Sequence, residues 1–472
     1  MTAAGKEMKL NRRQLLAGAA AMAVAPVSAP AAQAKVFPEG FFWGASTSSY
    51  QIEGALDVDG RGTDIWDTFT AAGRIMDGSN AKTACDHYHR YPEDVALMKA
   101  AGFTAYRFSL AWPRIIPAGT GAVNRKGLDF YDRLVDELLK AGIRPMACLY
   151  HWDLPQPLED KGGWQGRALT EPFAEYARAA ARRLGDRVQD WVMLNEPNVV
   201  AIFGYGVGEH APGHRLGETG ILKALHHQNL AQGAALRAIR AEKSDAVLGT
   251  VTNLSPCVAD TDSAADRRAA ALWDAAWNRV TLDGLFKGEL PAIVADRMAD
   301  FVQPGDLDLA KFPIDMLGIN YYGRNTMRHE EGRPFNAGWG DAKAKRYTGM
   351  GWPVQPEGLY EQLVDLRDNY GNPAVYVAEN GAAYDDVPGP DGTVHDAERG
   401  QFIREHIEQV HRALTDGVNL KGYLAWSLLD NFEWAFGLSK RFGIVRVDYD
   451  TLERIPKDSY DLMQKIAKAN AV

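Results

Sequence analysis

Asp190–Asn198 reads DWVMLNEPN. Trp191, Val192, Met193 and Leu194 form a short apolar run with β-forming Trp and Val, the pattern of a buried strand. The run ends in Asn195 and Glu196 and is stopped by Pro197, which has no N–H to give to a sheet ladder. Ala374–Gly381, AVYVAENG, has the same form: Val375, Tyr376 and Val377, then Glu379, Asn380 and Gly381. A carboxylate at the tip of a buried strand is costly unless it has a partner or a task. A salt bridge or a helix cap accounts for one such Glu as well as chemistry does. Two in matching positions point to paired carboxylates across a pocket.

Six further apolar runs read as strands: Phe41–Ser46, Thr104–Trp112, Arg144–Trp152, Ala246–Leu254, Met316–Tyr322 and Leu420–Asp430. With Asp190–Pro197 and Ala374–Gly381 they make eight. Helical spacing lies between them. Leu169, Phe173, Tyr176, Ala177, Ala180 and Leu184 share one face, as do Leu359, Leu363, Leu366 and Tyr370, and Phe402, Ile403, Val410 and Leu414. Gly102, Gly142, Gly371 and Gly417 follow helical runs as C-caps do, and Pro92 and Pro356 are expected near helix starts. Eight strands alternating with helices predict a single α/β domain over residues 35–472, a (β/α)8 TIM barrel with elaborated βα loops. An open doubly wound sheet is the alternative, but no G-x-G-x-x-G follows the first strand. Two connections are long, Ser255–Pro313 and Gly323–Pro353, and the second has the Gly and charge content of a surface loop.

The 472 residues are 46% hydrophobic and 24% charged, enough apolar material for one large core. A net charge of −9 argues against a nucleic-acid partner. Cys85, Cys148 and Cys257 are too few and too widely spaced for a zinc site or a disulfide framework, and read as buried or half-buried small residues. The N-terminus differs in kind. Arg12-Arg13 precede an Ala-rich apolar run from Leu15 to Val27, and Ala32-Gln33-Ala34 follows. That order predicts a twin-arginine signal peptide over residues 1–34, export in the folded state, and a periplasmic or secreted protein. The run is too short to be a stable membrane anchor. Its removal takes away a net +3, leaving a mature chain near −12.

Barrel sites form at the C-terminal ends of strands. Those ends carry Gln51, Arg107, His151, Asn195, Glu196, Asn320, Tyr322, Glu379, Trp426, Glu433 and Trp434. Gln, His, Asn and Glu hydrogen-bond sugar hydroxyls, and Trp and Tyr offer flat faces to the C–H side of a pyranose. Two Glu then fit glycoside hydrolysis by paired carboxylates. A lone Trp is better read as core, but Trp152, Trp426 and Trp434 all lie at strand ends. A metal centre has less support: His87, His89, His226 and His227 lie near no strand tip, and no H-E-x-x-H occurs. A serine nucleophile lacks its G-x-S-x-G elbow. No cofactor is expected.

These motifs together resemble glycoside hydrolase family 1, its β-glucosidases in particular. The likeness runs from Phe41 to Lys457-Asp458-Ser459-Tyr460. It rests on FFWGASTSSYQIEG (Phe41–Gly54), YHWDLPQPLED (Tyr150–Asp160), LNEPN, INYYG, AENG and AWSLLDNFEWAFGLSKRFGIV. The resemblance implies Glu196 as general acid/base and Glu379 as nucleophile, with carboxyl groups about 5–5.5 Å apart for a retaining enzyme. It implies Gln51, His151, Asn195 and Glu433 on the glucose hydroxyls, Trp426 as stacking floor and Trp434 at its side. Arg107 and Tyr322 would touch the nucleophile, with Asn320 beside it. Substrates would be small β-glucosides or short oligosaccharides such as cellobiose. Family members usually carry Thr where this chain has Met193 and Ala378, so each catalytic strand loses a hydroxyl. A β-galactosidase or β-fucosidase of the same fold is the alternative. A sugar-binding barrel without catalysis is disfavoured because both Glu are present.

Overall fold

A computed structural model describes residues 34–472, and Lys35–Val472 form one compact unit. Apart from Ala34, the leader read over 1–34 lies outside the described residues. Eight parallel strands close a barrel: β1 (Phe42–Ser46), β2 (Ala105–Ser109), β3 (Arg144–Tyr150), β4 (Asp190–Asn195), β5 (Val247–Asn253), β6 (Met316–Asn320), β7 (Val375–Asn380) and β8 (Leu420–Trp426). Each pairs with its neighbours in chain order, and β8 closes on β1. All eight expected runs are strands; β1 loses only Phe41 at its start, and the other seven end before the last residue of the expected run, where the chain leaves the ladder.

The helices fall between them, among them His87–Ala100, Arg125–Ala141, Thr170–Leu184, Gly217–Glu242, Glu357–Asn369 and Ala397–Thr415. The four expected C-cap glycines adopt left-handed φ, from +75° at Gly102 to +87° at Gly417. Pro92 departs from expectation. It sits inside His87–Ala100 rather than at its start, and its ring removes one helical donor. Pro356 caps Glu357–Asn369 as expected. Gly323–Pro353 is also more ordered than its composition implied. Asn325–His329 and Ala337–Trp339 join Cys257–Ala259 in a three-stranded sheet over the barrel mouth. Those strands are short and half exposed, so no apolar alternation marks them in the sequence.

The barrel interior is filled by Phe42, Met146, Cys148, Val192, Val251, Met316, Tyr376, Ala378 and Leu424. Intervening strand residues pack outward on the helices. Both Glu-bearing strands break this alternation. On β4, Met193 and Leu194 both pack outward, and the register with β5 slips between Val192 and Asn195. On β7 the register slips between Val377 and Glu379 against β6, and between Val377 and Asn380 against β8. A bulge adds a residue to one strand and re-aims the side chains beyond it. Here it turns Asn195 and Glu379 toward the mouth.

A buried ionic network braces the loop after β8. Lys457 Nζ contacts Asp430 Oδ1 at 2.7 Å and also Asp386; Arg441 reaches Asp430 Oδ2 at 2.7 Å, and Gly443 N donates to Asp430 Oδ1 at 3.0 Å. Lys457, Asp386 and Asp430 are buried, so each charge depends on the others to offset desolvation. Their effect is to fix the segment that carries Glu433 and Trp434. Cys85 and Cys148 are buried and Cys257 half-buried, all as free thiols. No described helix is long and apolar enough to cross a membrane.

Candidate active site

The strand tips converge on a cavity of about 480 Å³, with His151, Glu196, Tyr322, Glu379, Trp426, Glu433 and Trp434 in its wall. Gln51, Arg107, Asn195 and Asn320 lie against these residues and hold them. Every site residue expected from the sequence is therefore brought to one place.

Glu379 is gripped on both oxygens. Arg107 Nη1 donates to Oε1 at 2.8 Å and the Tyr322 hydroxyl donates to Oε2 at 2.6 Å. The other arm of Arg107 bonds Asn195 Oδ1, which also accepts from Asn320 Nδ2 at 3.1 Å. With that oxygen occupied twice, Asn195 turns its NH2 to His151 Nε2, 2.9 Å away, which must accept. His151 is thus neutral with its proton on Nδ1; burial and the nearby Arg107 charge both hold its pKa far below the usual range. Arg107 sits at 0% exposure, so its charge is balanced by Glu379 and not by water.

Glu196 directly follows β4 with φ of +49°, a left-handed conformation unfavourable for Glu, and Pro197 opens the next helical turn. Trp152 and Trp434 are also left-handed, at +79° and +47°. Non-Gly strain of this kind, at three residues of one pocket, is characteristic of functional sites. Glu196 Oε1 accepts from Asn320 at 3.0 Å and from Asn253 at 2.8 Å. Burial, and then the negative charge of Glu379, push its pKa up to about 8 against those two bonds and Arg107. Burial raises Glu379 too, but there Arg107, Tyr322 and Asn320 oppose it. The two acids thus share a pocket but differ in partners: amides for one, a guanidinium in contact for the other. Such a pair can hold one carboxyl neutral while the other is ionised.

Glu433 is the third acid. Gln51 Nε2 reaches it at 3.3 Å while also donating to Asn431 Oδ1 and the Phe432 carbonyl, both at 3.0 Å. Burial and the charges of Glu379 and Glu196 raise its pKa to about 8. Trp434 lies 4.4 Å from Trp152 and 4.7 Å from Trp66, centroid to centroid, and His151 lies beside both Trp426 and Trp434. The outer cavity is aromatic: Phe203, Trp277, Trp352 and, half exposed at the rim, Trp339. Trp277 comes from the Ser255–Pro313 connection, and Trp339 and Trp352 from Gly323–Pro353.

Asn253 was not among the expected site residues. It ends β5, and its neighbours Thr252, Leu254 and Ser255 are neither charged nor aromatic. Only its opposition to Glu196 across the strand pair identifies it. Met193 packs outward into the helix-facing core, so the absent hydroxyl there is a matter of packing. At Ala378 the carbonyl is held by Ser46 Oγ at 2.5 Å and Arg107 Nη1 at 3.4 Å. The four histidines outside the site have local partners: His87 with Asp94, His89 with Asp86, His226 with Asp306, and His227 with the Trp164 carbonyl. Among the described residues no group of three or more His, Cys, Asp or Glu is arranged to hold a metal ion.

The raised pKa of Glu433 has a consequence for stability. The group favours the folded state while protonated, and that contribution is lost as pH rises from its ordinary 4.5 through about 8. Glu433→Gln stays neutral throughout. Its Tm relative to the parent should climb by a few degrees between about pH 5 and pH 8 and then level off, as read by scanning calorimetry. A pH-independent difference would contradict the placement of this acid.

Residues 33–472 match the model of the family described as glycosyl hydrolase family 1. The chain is 44% identical over 442 residues to "Beta-glucosidase A" of Acetivibrio thermocellus, covering 92% of this chain and 98% of that protein. It is 44% identical over 446 residues to a "1,4-beta-D-glucan glucohydrolase" of Thermotoga neapolitana, covering 93% and 99%. Among solved structures, the family 1 β-glucosidase from Thermotoga maritima superposes with a TM-score of 0.89 at 42% identity, over 93% of this chain and 99% of that one. Barrel, paired acids and near end-to-end likeness agree: the chain belongs to glycosyl hydrolase family 1.

Proposed function

We propose that this protein is a retaining β-glucosidase that removes terminal glucose from β-glucosides and short β-glucans such as cellobiose. The observation that carries this reading is the pairing of Glu196 and Glu379 in one buried cavity with unlike partners. The names of the relatives, β-glucosidase and 1,4-β-D-glucan glucohydrolase, supply the sugar and the linkage.

The chemistry is set by the partners. Glu379, kept ionised by Arg107 and Tyr322, attacks the anomeric carbon of the innermost sugar. The bond to the leaving oxygen breaks, and Glu196 gives that oxygen its proton. The glycosyl ester on Glu379 removes its negative charge, which had helped to hold Glu196 protonated. Glu196 then accepts a proton from water as water attacks the same carbon. Two inversions leave the product β. In this reading Glu433, Gln51, His151 and Asn195 bind hydroxyls of the inner sugar, and the indoles of Trp426 and Trp434 cover its faces. Glucose brings neutral hydroxyls to the inner end of the cavity, among Glu196, Glu379, Glu433 and Arg107, so binding adds no charge to be buried.

The two acids should fail differently. Glu379→Gly should lower turnover by about 10⁴-fold or more on every substrate, and azide should restore part of it with an α-glucosyl product. Glu196→Ala should lose about 10²–10⁴-fold on alkyl glucosides but far less on dinitrophenyl glucoside, whose leaving group needs no proton. Equal losses on both substrates in both variants would contradict the assignment.

Export in the folded state through the twin-arginine route is part of the same proposal, supported by Arg12-Arg13 and the Ala32-Gln33-Ala34 site. Arg12→Lys with Arg13→Lys should hold the precursor in the cytoplasm, seen by fractionation and immunoblot. Normal processing of the double variant would overturn it.

A further inference from the structure

Asn253 and Asn320 reach Glu196 from adjacent strands, β5 and β6, and both give an N–H to the same oxygen, Oε1. Their amide orientations are fixed by other bonds. Asn320 Nδ2 also donates to Asn195 Oδ1, an oxygen already taken as an acceptor by Arg107. Asn253 Oδ1 faces the Ser255 hydroxyl at 3.4 Å, which leaves its NH2 toward Glu196. Ser255 is itself held at both backbone groups by Asn278, N–H to Oδ1 at 3.2 Å and carbonyl to Nδ2 at 2.8 Å. The chain Asn278–Ser255–Asn253–Glu196 is therefore directional.

A carboxylate oxygen has two in-plane lone pairs. On Oε1 both are spent on N–H donors, and a proton there would meet an amide hydrogen. No described side chain donates to Oε2, and Glu196 lines the cavity. Resting on the reading of Glu196 as acid/base, we propose that Asn253 is a positioning residue that, with Asn320, confines the transferable proton to Oε2. In the first half-reaction the Oε2–H bond breaks, its proton passes to the leaving oxygen, and that oxygen takes the electron pair of the broken glycosidic bond. In the second half-reaction Oε2 receives a proton from the attacking water. Oε1 stays bonded to both amides throughout.

The same two bonds favour the ionised form, so Asn253 also keeps Glu196 acidic enough to release its proton. The other groups that face Glu196 are Glu379 from β7, Arg107 from β2, and Glu433 and Tyr322 across the cavity. None of them changes when Asn253 is replaced. Burial and the nearby Glu379 charge, both raising the pKa of Glu196, would then act with one opposing donor fewer.

Asn253→Leu keeps the size of the side chain and removes the donor. The alkaline limb of kcat/KM should move up by about 0.5–1 pH unit, while the acid limb, set by Glu379, stays in place. Alkyl glucosides should lose about tenfold or more in kcat/KM, and dinitrophenyl glucoside less than about twofold. Ser255→Ala, which only frees the Asn253 amide to turn, should give the same shift at smaller size and covers the case in which Asn253→Leu does not fold. A neutron structure of the unsubstituted enzyme below the alkaline limb should place deuterium on Glu196 Oε2. Deuterium on Oε1, or an alkaline limb fixed within about 0.2 unit in folded variants, overturns the proposal. Failure of the acid/base reading itself looks different: Glu196→Ala would then keep the alkaline limb and lose equally on both glucosides.

Discussion

The ion pair between Arg107 and Glu379 is the interaction on which the site depends. It joins β2 to β7 through the barrel mouth at 2.8 Å, with both partners out of water. A buried carboxylate without such a partner takes up a proton. Glu196 and Glu433, which lack a guanidinium in contact, are both pushed toward about 8. Arg107 is the one described cation in contact with any of these three acids, and it opposes the effect of burial on Glu379. The second arm of Arg107 extends this control. By occupying Asn195 Oδ1 it turns the Asn195 amide to His151 and fixes that ring as a neutral acceptor.

Rigidity around this pair is supplied by contacts within and behind the cavity wall. The Lys457–Asp430–Asp386 network anchors the loop carrying Glu433 and Trp434, and Gln51 ties the same loop to the short helix Ser49–Ile52 that follows β1. Aromatic contacts among Trp66, Trp152 and Trp434 fill the space behind it. These supports hold three site residues at left-handed φ, a conformation their side chains disfavour. Preorganisation of this kind means that charge developing in the reaction meets dipoles already in place.

Strand identity was legible because a barrel buries both faces of its parallel strands. Trp191–Leu194 and Val375–Val377 then stand out as continuous apolar runs. The acids at their tips were legible for the same reason, since polarity there contradicts burial. The bulges were not legible. Strict alternation from the inward-facing Tyr376 would send Glu379 to the outside of the barrel, and only the register slip beside it turns that residue inward. Asn253 was hidden because a neutral amide at a strand end is ordinary in sequence and acquires meaning only from what lies across the sheet. The strands within Gly323–Pro353 were hidden because half-exposed edges carry charge and Gly as loops do. Trp277 of Ser255–Pro313, and Trp339 and Trp352 of Gly323–Pro353, line the outer cavity.

The account requires that two successive displacements occur at one carbon, the first by Glu379 and the second by water with Glu196 as base. Proton NMR of the sugar released from an aryl β-glucoside, recorded before mutarotation, tests this directly. The account predicts β-glucose as the first anomer to appear, with the α form rising later at the rate of spontaneous mutarotation. Appearance of α-glucose first would mean a single displacement and would contradict the roles given to both acids.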